Sequence, residues 1–313
     1  MKVVRFLFFA LIAFGACKKT SPTTITPPPA EPDLYIGGTL SLASGYSYGV
    51  TWKNGTAAAV PDSSEVVSLS FTVNDLYALG SSGLYSRNGV QPSAQSPIGG
   101  SDIAALGTDV YISCRTSNDE AAIYWKNGQI INLTTVSGLI SKAWCLGITI
   151  SGTDVYIAGT ISEYPDYQPK AVYWKNGSIN YLQGGYTANE ISVSGNNVCL
   201  TGSSVNGDVY WINGQVHSVG NYDWITGIAI SGNDVYLSGR NMLGAAPGQA
   251  FYYKNDQKVI LPSGYVAQGI GVSGNDVYCV GRDSANNAVY WKNTEKHVLG
   301  PAGIAYCILV ENK

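Results

Sequence analysis

One unit of about 40 residues recurs along this chain, and periods of that size mark solenoids, propellers or arrays. Its clearest copy runs from Ile148 to Leu182, ITISGTDVYIAGTISEYPDYQPKAVYWKNGSINYL. An apolar run leads into the turn Ser151-Gly152-Thr153-Asp154 and a second run, Val155-Tyr156-Ile157-Ala158-Gly159. A variable insert then precedes Ala171-Val172-Tyr173-Trp174, the turn Lys175-Asn176-Gly177 and a short run ending at Leu182. Asn-Gly between apolar runs favours a two-residue type I′ hairpin, because both central residues need positive φ. Each unit reads as four short antiparallel strands.

The second strand occurs seven times, opening at Asp33, Asp75, Asp109, Asp154, Asn197, Asp234 and Asp276. The third strand and its turn also occur seven times, with the turn asparagine at Asn54, Asn88, Asn127, Asn176, Asn213, Asn255 and Asn293. First strands begin near Leu69, Ile103, Ile148, Ile191, Ile228 and Ile270, which is only six inside the chain. The repeats start directly on a second strand at Asp33, and the missing first strand sits at the far end, Gly303-Ile304-Ala305-Tyr306-Cys307-Ile308-Leu309. That offset is what a closed ring requires, because closure removes the unpaired edges of an open array. The expected fold is an all-β, seven-bladed β-propeller of four-stranded antiparallel blades. Its carboxy-terminal strand, about residues 303–310, would complete the first blade. An open β-solenoid has no reason for the split blade. Runs such as Val-Tyr-Ile-Ala and Ala-Val-Tyr-Trp are apolar on both faces, as blades packed between neighbours must be.

Residues 1–16 read as a secretion signal, with a basic start (Lys2, Arg5), an apolar run from Phe6 to Ala13 too short to span a bilayer, and Gly15-Ala16 before Cys17. The Gly-Ala-Cys ending resembles a bacterial lipobox, with Phe14 where leucine is usual, which implies Cys17 as the lipid-attachment residue. Residues 17–32 continue as a Pro- and Thr-rich tether, whose stretch Lys18–Pro32 would reach roughly 45 Å at about 3.1 Å per residue. Residues 33–313 form the propeller. The expected location is the bacterial cell envelope, lipid-anchored, on the periplasmic or outer-membrane surface.

Formal charge is −3, and there is no basic stripe, so nucleic acid is not an expected partner. His217 and His297 are the only histidines, which limits imidazole chemistry and most zinc sites. The repeated aspartates offer one carboxylate per turn, too few for calcium, and are expected to shape their own hairpins. The repeated tryptophan is expected in the core. No catalytic triad, phosphate loop or metal cluster stands out, so no cofactor and no metal are expected. Apart from Cys17, Cys114, Cys145, Cys199, Cys279 and Cys307 read as small buried hydrophobes.

In such blades the Ser-Gly-Asn-Asp and Lys-Asn-Gly turns share one face of the ring, short and uniform. The other two connections, such as Thr160–Lys170, Asn241–Gln249 and Thr134–Lys142, vary and lie on the opposite face. Variable loops on a rigid scaffold are where binding usually resides. Candidate ligand-binding aromatics there are Trp144, Trp224, Tyr222, Tyr164 and Tyr167, with Tyr186 and Tyr265 nearby; the bland alternative has Trp144 and Trp224 filling gaps between blades. Arg115, Arg240 and Arg282 each fall six residues after the repeat's aspartate position, so blades six and seven would hold two arginines side by side, able to grip a carboxylate or phosphate. Pairing with local acids such as Asp283 is the alternative. Asp102 and Glu190 stand where other blades carry Gly147, Gly227, Gly269 and Gly303, facing the channel mouth.

The Gly-Ala-Cys leader, the Thr/Pro tether and the Tyr-Trp-Lys-Asn-Gly and Ser-Gly-Asn-Asp-Val-Tyr repeats together resemble uncharacterised bacterial lipoproteins built as β-propellers. That resemblance supplies no catalytic residues. The expected function is a monomeric, membrane-tethered binding or scaffold module that recognises a glycan or envelope protein through its loop face. The alternative is a carbohydrate-active enzyme working at the channel mouth with Asp102 and Glu190.

Overall fold

The computed structural model describes residues 30–61, 63–92, 99–115, 121–135, 140–242 and 248–312, together with a few strand residues whose side chains are left aside. The leader, Cys17 and most of the tether lie outside the described residues. Seven sheets form the ring. Blade one is built from Gly303–Glu311, Asp33–Ser41, Ser47–Lys53 and Thr56–Ala59, in that order from the channel outwards. Five further blades have four strands in sequence order, and blade two has, among the described residues, Val66–Phe71, Leu76–Gly80 and Tyr85–Arg87. An isolated bridge, Arg87 to Val90, stands where the fourth strand of blade two would begin. The seven innermost strands touch each other in succession, and Gly303–Glu311 touches the innermost strands of both blades two and seven. The ring is closed by the carboxy-terminal strand.

The uniformity of the repeat within this chain has a local physical cause on the turn face. In every blade the turn asparagine adopts a left-handed φ, between 47° and 57°. Its carbonyl oxygen accepts the backbone N–H that opens the second strand, as in Val155 to Asn176 at 2.9 Å. Its amide donates to the repeat aspartate, as in Asn176 to Asp154 at 2.7 Å. The preceding lysine bridges to the same aspartate and lies over the repeat tyrosine: Lys175 is 2.8 Å from Asp154 and 5.1 Å from the Tyr156 ring centroid. Lys175 first, then Asn176, hold the Asp154 carboxyl below the usual carboxylate range. The aspartate therefore joins two hairpins rather than shaping only its own turn. Blade five departs at three positions together: Asn197, Cys199 and Ile212 replace acid, ring and cation. Loss of one charge removes the reason for the other two groups.

Beneath this clasp, Trp52, Trp125, Trp174, Trp211 and Trp291 are at most 1% exposed, each filling the space between neighbouring blades. Blade six places Tyr253 in that register and fills the core with Phe251. A glycine five residues after the aspartate position lets the second strand pass a bulge in the innermost strand. A Cβ on Gly159, Gly202, Gly239 or Gly281 would sit 1.9–2.3 Å from a main-chain carbonyl oxygen. These bulges shift the innermost register, for example between Cys145 and Ile148.

Candidate functional site

Ladder pairing fixes which residues are equivalent around the channel. Leu69, Ile103, Ile148, Ile191, Ile228, Ile270 and Ile308 each oppose the residue three after the repeat's aspartate position. The residues just before them are Ser68, Asp102, Gly147, Glu190, Gly227, Gly269 and Cys307. The expected equivalence of Gly303 is thus corrected: Cys307 takes that position opposite Gly37, while Gly303, four residues earlier, pairs with Leu40. Six of these seven residues, all but Gly147, line one cavity of about 290 Å³. A second cavity of about 450 Å³ continues towards the turn face past Ile103, Ile148 and Ile150, and Asp102 borders both.

Asp102 is held by three blades. One carboxylate oxygen accepts the Ile103 N–H at 2.8 Å and the Ser68 hydroxyl, and the other accepts the Ile148 N–H at 2.7 Å. Glu190 approaches from the far side of Gly147, whose missing side chain leaves the room: a Cβ there would meet the Asn189 carbonyl oxygen at 2.7 Å. Blade four separates the two acids in sequence order, yet they interact. Burial pushes both carboxyls upward. The three donors on Asp102 make it the member that ionises first, and its charge adds to burial in holding Glu190 at about 8. Burial likewise pushes the neighbouring Cys307 thiol up.

The loop face carries a second cluster. Trp224 and Arg240 are direct cross-strand neighbours in blade six. In blade seven a register shift between Gly264 and Val266 leaves Tyr265 outside the ladder and aims its ring at blade six. The Arg240 guanidinium lies 5.9 Å from the Trp224 ring and 4.6 Å from Tyr265, and the Arg282 guanidinium lies 4.7 Å from the same Tyr265 ring. The four side chains form one ladder, Trp224–Arg240–Tyr265–Arg282, across two blades. Gly248 lies against it, where a Cβ would fall 2.4 Å from Arg240 Cδ. The expected alternative of Asp283 as arginine partner does not hold: Asp283 is buried and bound by Lys296 at 2.9 Å and by Asn287. Among the described residues no carboxylate pairs with Arg240 or Arg282. Glu65 lies beside the Tyr306 phenol, which burial and that carboxylate push up to about 12 against the opposing effect of Arg282.

Trp224 is 46% exposed and Tyr222 is 65% exposed, so Trp224 does not fill a gap between blades. Both border a cavity of about 390 Å³ with Asn206, Asp208 and Met242. Trp144 is half-buried. Tyr164 and Tyr167 are both more than half exposed and meet edge to face at 5.7 Å in blade four, apart from this ladder. Most of the Thr160–Lys170 insert is strand: the second strand runs to Glu163 and the third begins at Pro169, tied by Lys170 to Glu163 at 2.6 Å. Arg115 closes the second strand of blade three, and its side chain lies outside the described residues. Parts of the 134–142 and 241–249 connections lie outside them as well.

No family model matches the chain, and no curated protein does. Among solved structures, a putative 6-phosphogluconolactonase from Bacteroides uniformis is similar with a TM-score of 0.55 and 11% identity, over 90% of this chain and 100% of that one. A putative 6-phosphogluconolactonase from Bacteroides fragilis gives a TM-score of 0.50 and 10% identity, over 93% and 99%. Identities this low establish the propeller architecture and nothing about chemistry.

Proposed function

We propose that this chain is a lipid-anchored binding module of the bacterial cell envelope, attached through Cys17, whose loop face recognises a glycan or an envelope protein. The observation that carries the reading is the Trp224–Arg240–Tyr265–Arg282 ladder beside the exposed Tyr222 and Trp224. Large aromatic surface left in contact with water next to a cavity is what recognition sites provide. The propeller's first strand enters at Asp33, beside Asn54 and Lys53 on the turn face. The test is binding by the full chain to a panel of envelope glycans and proteins, with Trp224→Ala and Tyr222→Ala variants. Binding that both variants weaken supports the reading. Binding that neither variant changes, or no binding at all, counts against it. Cys17→Ser should release the chain from the membrane fraction.

A second reading, catalysis on a carbohydrate at the channel mouth, draws on Glu190, a carboxyl that burial and the neighbouring Asp102 push up to about 8. It is the weaker reading, because main-chain donors occupy both Asp102 oxygens and tie that residue to the scaffold. Turnover of a polysaccharide that Glu190→Gln abolishes would favour it.

A further inference from the structure

We infer that the loop-face ligand is an acidic oligosaccharide, one carrying uronic acid residues, with its carboxylate bound by the Arg240 guanidinium and attracted by the charge of Arg282 across the Tyr265 ring. This rests on the reading of the loop face as the binding face and names the ligand class for it. Two guanidiniums stand within 4.7 Å of one ring centroid, each held by the negative face of Tyr265, although like charges repel. Neither has an acid to neutralise it among the described residues. The Nε and Nη2 of Arg240 donate only to the Met242 thioether sulfur, at 3.1 and 2.7 Å, and sulfur is a weak acceptor. A planar carboxylate matches the fork of a guanidinium and offers it the charge-assisted bonds that the sulfur cannot. Nearby acids are already committed elsewhere: Asp223 to Lys258, Tyr253 and Asn241, Asp283 to Lys296, Asp208 to the Ile225 N–H and Glu65 to the Tyr306 phenol.

The second half of the site is apolar. Trp224 borders the adjoining cavity with nearly half its surface exposed, presenting a flat aromatic face to solvent. A pyranose ring offers a matching face of C–H groups, and a uronate joins that face to a carboxylate within one residue. An acidic peptide has the charge without the flat ring. A neutral sugar has the ring without the charge.

The test uses the full-length chain in detergent and isothermal titration with three probes: a trigalacturonate, its carboxyl-reduced neutral counterpart, and a short oligoglutamate. The trigalacturonate should bind about tenfold or more tighter than the reduced sugar, with a gap that narrows in high salt. The double variant Arg240→Ala/Arg282→Ala should bring the two sugars to the same affinity, whereas Trp224→Ala should weaken both. Arg240→Lys should retain part of the gap, since it keeps the charge and loses the fork. Thermal melts of each variant separate lost contacts from lost folding. Equal binding of both sugars by the wild type overturns the acidic assignment and leaves a glycan-binding face. Binding of oligoglutamate alone overturns the saccharide assignment and leaves a binding face for acidic protein. No binding to any probe overturns the inference, and the broader envelope panel then decides the reading beneath it.

Discussion

Replacing Glu190 by glutamine should stabilise the protein at alkaline pH and leave it nearly unchanged at acid pH. The Glu190 carboxyl is displaced from 4.5 to about 8, by burial first and then by Asp102. Folding therefore favours the protonated form. Below pH 4.5 both folded and unfolded chains hold the proton, and nothing is lost. As pH rises from 4.5 towards 8 the unfolded chain ionises first, so stability falls, and above about 8 the loss is complete. At about 1.36 kcal/mol per unit the full displacement corresponds to roughly 4–5 kcal/mol. Glu190 is only partly shielded, since it borders a channel cavity, and solvent screening reduces this to about 2 kcal/mol. For a domain of this size, 1 kcal/mol moves the melting temperature by about 2 °C. Glu190→Gln keeps the shape and cannot ionise. Its melting temperature should match wild type at pH 4.5 and exceed it by about 4 °C at pH 8.5, measured by calorimetry. A difference that stays flat with pH, or grows as pH falls, would refute the placement of the pair in a confined channel.

Asp102→Asn should act in the opposite direction at neutral pH. The amide offers one accepting oxygen, so one of the Ile103 and Ile148 N–H groups loses its partner, at a cost of about 1–3 kcal/mol in chemical denaturation. Gly202→Ala should cost about 3 kcal/mol or more, because its Cβ would lie 1.9 Å from the Thr187 carbonyl oxygen and force two strands apart. Gly195→Ala meets open space and only a left-handed φ of 58°, so about 1 kcal/mol is expected; equal losses for the two would contradict the close-approach explanation.

The ring was legible because its evidence is periodic. Seven second strands against six internal first strands place the closing strand at the end of the chain, and Gly303–Glu311 pairs there with Asp33–Ser41. The tryptophans were legible as core because regular recurrence is what packing produces. The rest was hidden. The Gly303-Ile304 pair mimics the Gly-Ile start of other innermost strands, but Gly303 pairs with Leu40 and Cys307 takes the channel position opposite Gly37. Gly147, with no side chain, leaves the room in which Asp102 and Glu190 interact. A bulge turned Tyr265 towards Arg240. The arginine spacing gave the side-by-side placement in blades six and seven, but the aromatic rings that hold both guanidiniums come from positions where no pattern repeats. The clasp was half legible: the asparagine's positive φ follows from Asn-Gly, while its hold on an aspartate about 20 residues earlier depends on strand pairing.

Partners should meet this protein on the loop face. A photoreactive benzophenone side chain placed at Tyr222 on that face, and separately at Asn196 in an exposed turn-face hairpin, would test it in intact envelopes. Irradiation should give a discrete adduct from position 222 and none from position 196. An adduct from position 196 alone would place the partner surface on the turn face instead.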